Sequence, residues 1–192
     1  MHIKGVLFDL DGTLLDTEPI YDDAAQKLID EYGNKQKLDW SVKSKIIGTT
    51  HKDSSRIFVE SFQINLTPEE FQKKKDELLV ESFKKCKFKK GAKEITHKLK
   101  YELGLKIAIA TASSKKNFEN KTYYKKDWVN DDIDVVITSE RIKEGKPSPD
   151  IFILSAKELG LQPDECIVFE DGVSGVKAAI RAGVRIVIAV ME

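Results

Sequence analysis

The chain has 192 residues, 41% hydrophobic and 33% charged, and its 32 basic side chains are balanced by 32 acidic ones. A neutral chain has no global field to recruit nucleic acid or a membrane surface, and no apolar run approaches the roughly 20 residues that a bilayer span needs. The length suits one sizeable core, or a core that carries a small insert.

The N-terminus enters an apolar run directly, with no basic-then-apolar leader, and Cys86 and Cys166 have neither metal-type nor redox-type spacing. The expectation is a cytoplasmic, monomeric protein with reduced thiols. Residues 3–8 read as a buried strand. The strand runs out in "DLDGT", where Asp9 and Asp11 stand two residues apart before Gly12 and Thr13. In extended chain such a pair points to opposite faces, so a bend is needed to bring the two together, and Gly12 can supply it. A hard divalent cation such as Mg²⁺ would then relieve their repulsion.

Residues 17–88 break the strand rhythm, and their pattern is helical throughout. A helix is predicted over 68–85, with Thr67 as N-cap, Pro68 at its first position and acids in its first turn. Phe71, Leu78, Leu79 and Phe83 suit one face of it. The lysine-rich tract 84–90, "KKCKFKK", reads as a solvated helix end at the return to the core. Trp40 and Trp128 read as packing anchors, while His2 and His97 look structural or exposed, with no partner nearby in sequence.

Strands are predicted again at 106–110, 135–137, 166–169 and 185–190, and helices at 90–103, 115–128, 149–159 and 173–182. Gly104, Gly160 and Gly183 serve as stop signals. Strands alternating with helices imply an α/β fold with a parallel sheet covered on both faces and a helical insert after the first strand. The expected division is 1–16 with 89–192 as the core and 17–88 as the insert.

Three further motifs carry chemistry. Thr111 follows the second strand, with Ser113 and Ser114 opening the next helix, a setting suited to an anion. Lys146 sits between Gly145 and Pro147, where a fixed ammonium could neutralise phosphate charge. Glu170 and Asp171 end the fourth strand as a second acid pair. All four motifs lie at carboxyl ends of strands, which in a parallel sheet open on one edge. Together they describe a metal, a nucleophilic carboxylate and a phosphate cradle.

Taken in order, "DLDGT" at 9–13, Thr111, Lys146 in "GKPSPD" and "EDG" at 170–172 resemble the four motifs of the haloacid dehalogenase-like phosphohydrolases. The insert resembles the helical cap of the β-phosphoglucomutase-like branch, and the resemblance implies a Rossmann-like core with the first strand central. It further implies that Asp9 attacks phosphorus to form an aspartyl-phosphate while Asp11 acts as acid and then base. Thr111 and Ala112 would bind phosphate, and Lys146 would pair with phosphate and Asp9. Mg²⁺ would be held by Asp9, the Asp11 carbonyl and Asp171, with Glu170 among the ligands or beside them. Tyr21 and His51 stand where mutases of the branch carry His and Arg. The chain therefore looks more like its small-metabolite phosphatases, the pseudouridine-5′-phosphatase-like group, acting on a nucleotide or sugar phosphate. A mutase is the alternative, with a non-catalytic binding protein a more distant one. Glu18, Gly48, Thr49 and His51, with neighbouring Thr50 and Lys52, are the insert residues expected to face a substrate.

Overall fold

A computed structural model of the chain describes residues 2–46 and 51–190, the side chains of His51 and Lys52 excepted. The chain divides into two compact units, one of residues 1–17 and 84–192 and one of residues 18–83.

The first unit is built on a five-stranded sheet of β1 (Gly5–Phe8), β4 (Lys106–Ala110), β5 (Val135–Ile137), β6 (Cys166–Glu170) and β7 (Ile186–Ala189). The strand order is β5-β4-β1-β6-β7, and every pairing is parallel. β1 is central and buried along its whole length, with Gly5 opposite both Lys106 and Cys166. A strand covered on both faces must be apolar on both, and this is why "GVLF" reads as a continuous run rather than an alternating one. The alternation survives in which face each residue serves. Leu7, Ala108, Ala110 and Val168 pack with Ile151, Phe152 and Ala156 of α8 (Asp150–Glu158) and with Ala178 and Ala179 of α9 (Val173–Ala182). Val6, Phe8, Ile107 and Ile109 face the other way and are equally buried.

From β1 the chain builds outward to β4 and β5 on one side, then crosses over to β6 and β7 on the other. The order thus reverses at β1, and the carboxyl end of β1 lies at a topological switch point, where open α/β sheets bind ligands.

A two-stranded antiparallel ribbon, β2 (Leu15–Asp16) with β3 (Lys87–Phe88), joins the places where the chain leaves and re-enters this unit. The tract 84–90 is therefore more than a solvated helix end. Cys86 is buried, and Phe88 meets Trp128 edge-on with ring centroids 5.0 Å apart. Trp128 is buried and donates to Thr96 Oγ1, which in turn donates to Asp132 Oδ2, both at 2.9 Å. These contacts tie α5 (Ala92–His97) to the helix carrying Trp128. His97 Nδ1 lies 3.5 Å from Asp132 Oδ1, a partner that sequence distance concealed. The helix expected over 115–128 is two: α6 (Lys115–Lys121) and α7 (Lys126–Asp132). The break falls at Thr122–Lys125, where the Lys125 ammonium turns inward to the carbonyls of Cys86 and Lys121. That contact ends α6 by taking up one of its unpaired C-terminal carbonyls.

The second unit is helical: α1 (Glu18–Tyr32), α2 (Trp40–Ile46), α3 (His51–Ser61) and most of α4 (Pro68–Lys84). Leu28, Ile29, Phe58, Phe62 and Phe71 form its core. The predicted cap of α4 is a full capping box. The Glu70 N–H donates to Thr67 Oγ1 at 3.2 Å, and the Thr67 N–H donates to Glu70 Oε2 at 2.8 Å. Trp40, expected to anchor packing, is instead 67% exposed at the first position of α2. Among the described residues, no helix is long and apolar enough to cross a membrane.

Candidate active site

Asp9 is the first residue past β1. Its N–H donates to the Phe169 carbonyl at 2.9 Å, so the β1–β6 ladder holds its backbone one step beyond the strand. Glu170 closes β6, and Asp171 follows it. Asp9, Glu170 and Asp171 each offer a carboxylate oxygen within 4.8 Å of the others. Lys146 reaches this group from the loop before α8, next to a cis Lys146–Pro147 peptide. Its ammonium donates to Asp9 Oδ1 at 2.5 Å and to Glu170 Oε1 at 2.6 Å, with all three side chains nearly inaccessible.

Two glycines make room for these acids. Gly12 has φ +80°, and a Cβ there would overlap Asp171 Oδ2. Gly175, in the first turn of α9, lies under Glu170, and a Cβ there would overlap Oε1. Glu170 Oε2 also accepts from the Gly172 N–H at 2.7 Å, and Asp171 Oδ1 accepts from Thr13 Oγ1 at 3.3 Å. The acids are thus aimed by backbone and helix before any ligand arrives.

Burial pushes the Asp9 carboxyl up to about 7, against the pull of the Lys146 ammonium, and the charges of Glu170 and Asp11 add to the rise. For Lys146, burial alone would favour the neutral amine, but the two carboxylates outweigh it and the net shift is upward. Burial, followed by the Glu170 charge, raises Asp171 as well. Three carboxylates against one ammonium leave the cluster short of positive charge. A donor set of clustered hard oxygens with excess negative charge fits a Mg²⁺-type cation.

Asp11 does not join them. The bend expected at Gly12 is present, yet the Asp11 carboxylate lies outside the clustered oxygens of the described residues. Instead Oδ1 accepts from Lys121 Nζ at 2.5 Å and Oδ2 accepts from Ser113 Oγ at 2.9 Å. Thr111 is fully buried at the end of β4, where its N–H donates to the Ile137 carbonyl and its Oγ1 accepts from the Ser113 N–H, both at 3.0 Å. Ala112 is exposed in the bend between them. In the helical unit, the Glu18 carboxylate pairs with Lys43 at 2.8 Å, and Asp22 shares that ammonium at 2.6 Å. Tyr21 packs edge-on against Phe83. Gly48, Thr49 and Thr50 lie outside the described residues, as do the His51 and Lys52 side chains.

Lys121 and Gly175 were not anticipated from sequence. A signal for Lys121 existed: Phe118, Lys121, Thr122 and Lys125 recur at helical spacing, and all four are buried. That stripe placed two lysines on the core side of their segment, where lysine is rarely found unpaired.

Known proteins share this architecture over nearly the whole chain. A Saccharomyces cerevisiae protein named a probable pseudouridine-5′-phosphatase is 35% identical over 195 residues, covering 96% of this chain and 81% of its own length. The phosphorylated carbohydrates phosphatase of Thermotoga maritima is 31% identical, covering 95% and 83%. A crystal structure from Thermotoga maritima, of a protein provisionally named beta-phosphoglucomutase, superposes with a TM-score of 0.78 at 29% identity, covering 98% of this chain and 87% of that one. The model of the haloacid dehalogenase-like hydrolases matches residues 6–189, and the chain belongs to that family.

Proposed function

We propose that the protein is a Mg²⁺-dependent phosphatase that hydrolyses a phosphate monoester of a small metabolite, of the nucleotide or sugar phosphate class, through an aspartyl-phosphate. The observation that carries this reading is the buried group of Asp9, Lys146, Glu170 and Asp171 at the carboxyl end of the central strand. The relatives' names as phosphatases support it.

An Asp9 carboxylate oxygen attacks phosphorus as the bond to the ester oxygen breaks, and the departing alkoxide takes a proton from Asp11. Asp11, now a carboxylate, takes a proton from water as that water attacks the same phosphorus. Phosphate leaves, and Asp9 is regenerated as a carboxylate. The Lys146 ammonium balances Asp9 before attack and the phosphoryl oxygens afterwards. The Thr111 hydroxyl and the backbone beside Ala112 hold a phosphate oxygen. Asp9, Asp171 and the Asp11 carbonyl would hold Mg²⁺, steadied by Glu170; when bound, the ion offsets the negative charge of phosphate and carboxylates together. Since phosphoryl transfer depends chiefly on positioning and charge stabilisation, this cast suffices. The helical unit would serve as a cap, with Glu18, Gly48, Thr49 and His51 toward the substrate.

Phosphate release from a panel of nucleotides, sugar phosphates and pseudouridine 5′-phosphate tests the reading, with Mg²⁺ and with chelator. Metal-dependent release that disappears in Asp9→Asn is expected, and no release from any ester would refute it. A phosphomutase is the second reading, favoured by the likeness to the Thermotoga maritima protein. It predicts isomerised sugar phosphate in the presence of a bisphosphate. The packing of Tyr21 on Phe83, where a mutase histidine is expected, counts against it.

A further inference from the structure

Lys121 is a fully buried lysine whose ammonium touches one of the proposed catalytic acids. Its Nζ donates to Asp11 Oδ1 at 2.5 Å and to Ser113 Oγ at 2.7 Å, and Ser113 Oγ donates to Asp11 Oδ2 at 2.9 Å. The three side chains close a ring in which each carboxylate oxygen of Asp11 has its own donor. The Asp11 side chain is 28% exposed and the Lys121 side chain 0%, so the ring holds Asp11 from beneath and leaves its outer side open.

A buried ammonium is expensive, and replacing a buried ion pair as a whole by apolar side chains of similar volume is often neutral or stabilising. The fold nevertheless equips the site for the charge. Lys121 ends α6, the helix that begins just after Ser113 and Ser114, so one short helix connects both donors of the ring. The Lys121 carbonyl is in turn gripped by Lys125 Nζ at 3.3 Å and by Cys86 Sγ at 3.2 Å. Contacts of this kind hold a functional side chain in register.

The consequence lies in how charge is divided. Asp9 and Glu170 share Lys146 and, with Asp171, form the oxygen cluster suited to a cation, whereas Asp11 has a cation of its own and stands apart. Freed from Lys121, a carboxylate two residues from Asp9 could swing among the clustered oxygens.

We propose that Lys121, with Ser113, is a positioning residue: it fixes the Asp11 carboxylate for proton transfer and keeps it out of the metal-binding cluster. This rests on the phosphatase reading above and adds to it the group that separates the two acids' tasks. Lys121 need not touch substrate.

The test compares wild type with Lys121→Met, Lys121→Arg, Ser113→Ala, Asp11→Asn and the Lys121→Met/Asp11→Asn double variant. Turnover is measured beside binding of beryllium fluoride with Mg²⁺, which mimics the phosphorylated form of Asp9 and needs no proton transfer. Since a positioned acid–base group is worth about 10²–10⁴-fold in rate, Lys121→Met is expected to lower kcat by about 10²-fold or more. KM and beryllium fluoride affinity should stay within about twofold, the tenfold unit of 1.4 kcal/mol setting the scale of a real loss. Lys121→Arg should recover part of kcat. Ser113→Ala, which leaves the buried pair intact, should show a smaller loss of the same kind. The double variant should be no slower than Asp11→Asn alone, because residues that act as a unit do not lose activity additively.

Wild-type kcat in Lys121→Met overturns the proposal. So does a parallel fall of kcat and beryllium fluoride affinity, which would mark a merely structural lysine, and so does an additive loss in the double variant. If wild type neither releases phosphate from any ester nor binds beryllium fluoride with Mg²⁺, the phosphatase reading itself has failed and this proposal falls with it. An active wild type with an indifferent Lys121 refutes the positioning role alone.

Discussion

Asp9 shows what burial does to a single carboxyl. Burial raises it to about 7 from its ordinary 3.8. The folded chain therefore holds a proton there that the unfolded chain has already released, and over that interval stability falls as pH rises. In chelator, melting temperature should decline from about pH 5 to about pH 8 by several degrees more in wild type than in Asp9→Asn. Equal declines would mean that Asp9 titrates normally. Gly175 makes a different point. Alanine is the better helix former by up to about 1 kcal/mol, so Gly175→Ala should not weaken α9 on propensity. Its Cβ would nonetheless overlap the Glu170 carboxylate. The expected variant is folded by circular dichroism and needs about tenfold more Mg²⁺ for half-maximal turnover, within the range seen when groups supporting a ligand are disturbed. An unchanged Mg²⁺ requirement would show that Glu170 can shift freely. Asp9, Lys146, Glu170 and Asp171 were legible in the sequence because each stands at a strand end or in a Pro-bounded loop. Gly175 and Lys121 were not, because a glycine within a helix and one lysine among many announce nothing until the partner is seen.

At the scale of elements, the five sheet strands could be read as apolar runs, and in β1 and β4 burial on both faces leaves no polar alternation to blur them. The two-residue strands β2 and β3 are too short to carry any period. The break between α6 and α7 was hidden because its cause is tertiary: Lys125 bonds to the Cys86 carbonyl, far away in sequence. The same distance hid the Trp128–Thr96–Asp132 chain, which links α7 to α5. Trp128→Ala should cost about 3–5 kcal/mol, the range for emptying a large aromatic site, read as a lowered midpoint in denaturant titration. A loss under about 1 kcal/mol would mean that Phe88 and its neighbours close the gap.

For the whole molecule, what matters is that the strand order reverses at β1, which gathers residues from four distant stretches of chain onto one edge of one sheet. Order along the chain predicted that edge, since carboxyl ends of parallel strands must share it. It could not predict how charge is partitioned there, with Lys146 among three acids and Lys121 beside the fourth. The central claim is that Asp9 accepts the phosphoryl group. Its most direct test is acid quenching of the enzyme during turnover of a radiolabelled phosphoester, followed by hydroxylamine, which cleaves acyl phosphates. Label should be bound to wild-type protein, map to the peptide containing Asp9, be discharged by hydroxylamine, and be missing from Asp9→Asn. An enzyme that turns over without ever carrying label, or an Asp9→Asn protein that still carries it, would contradict the account.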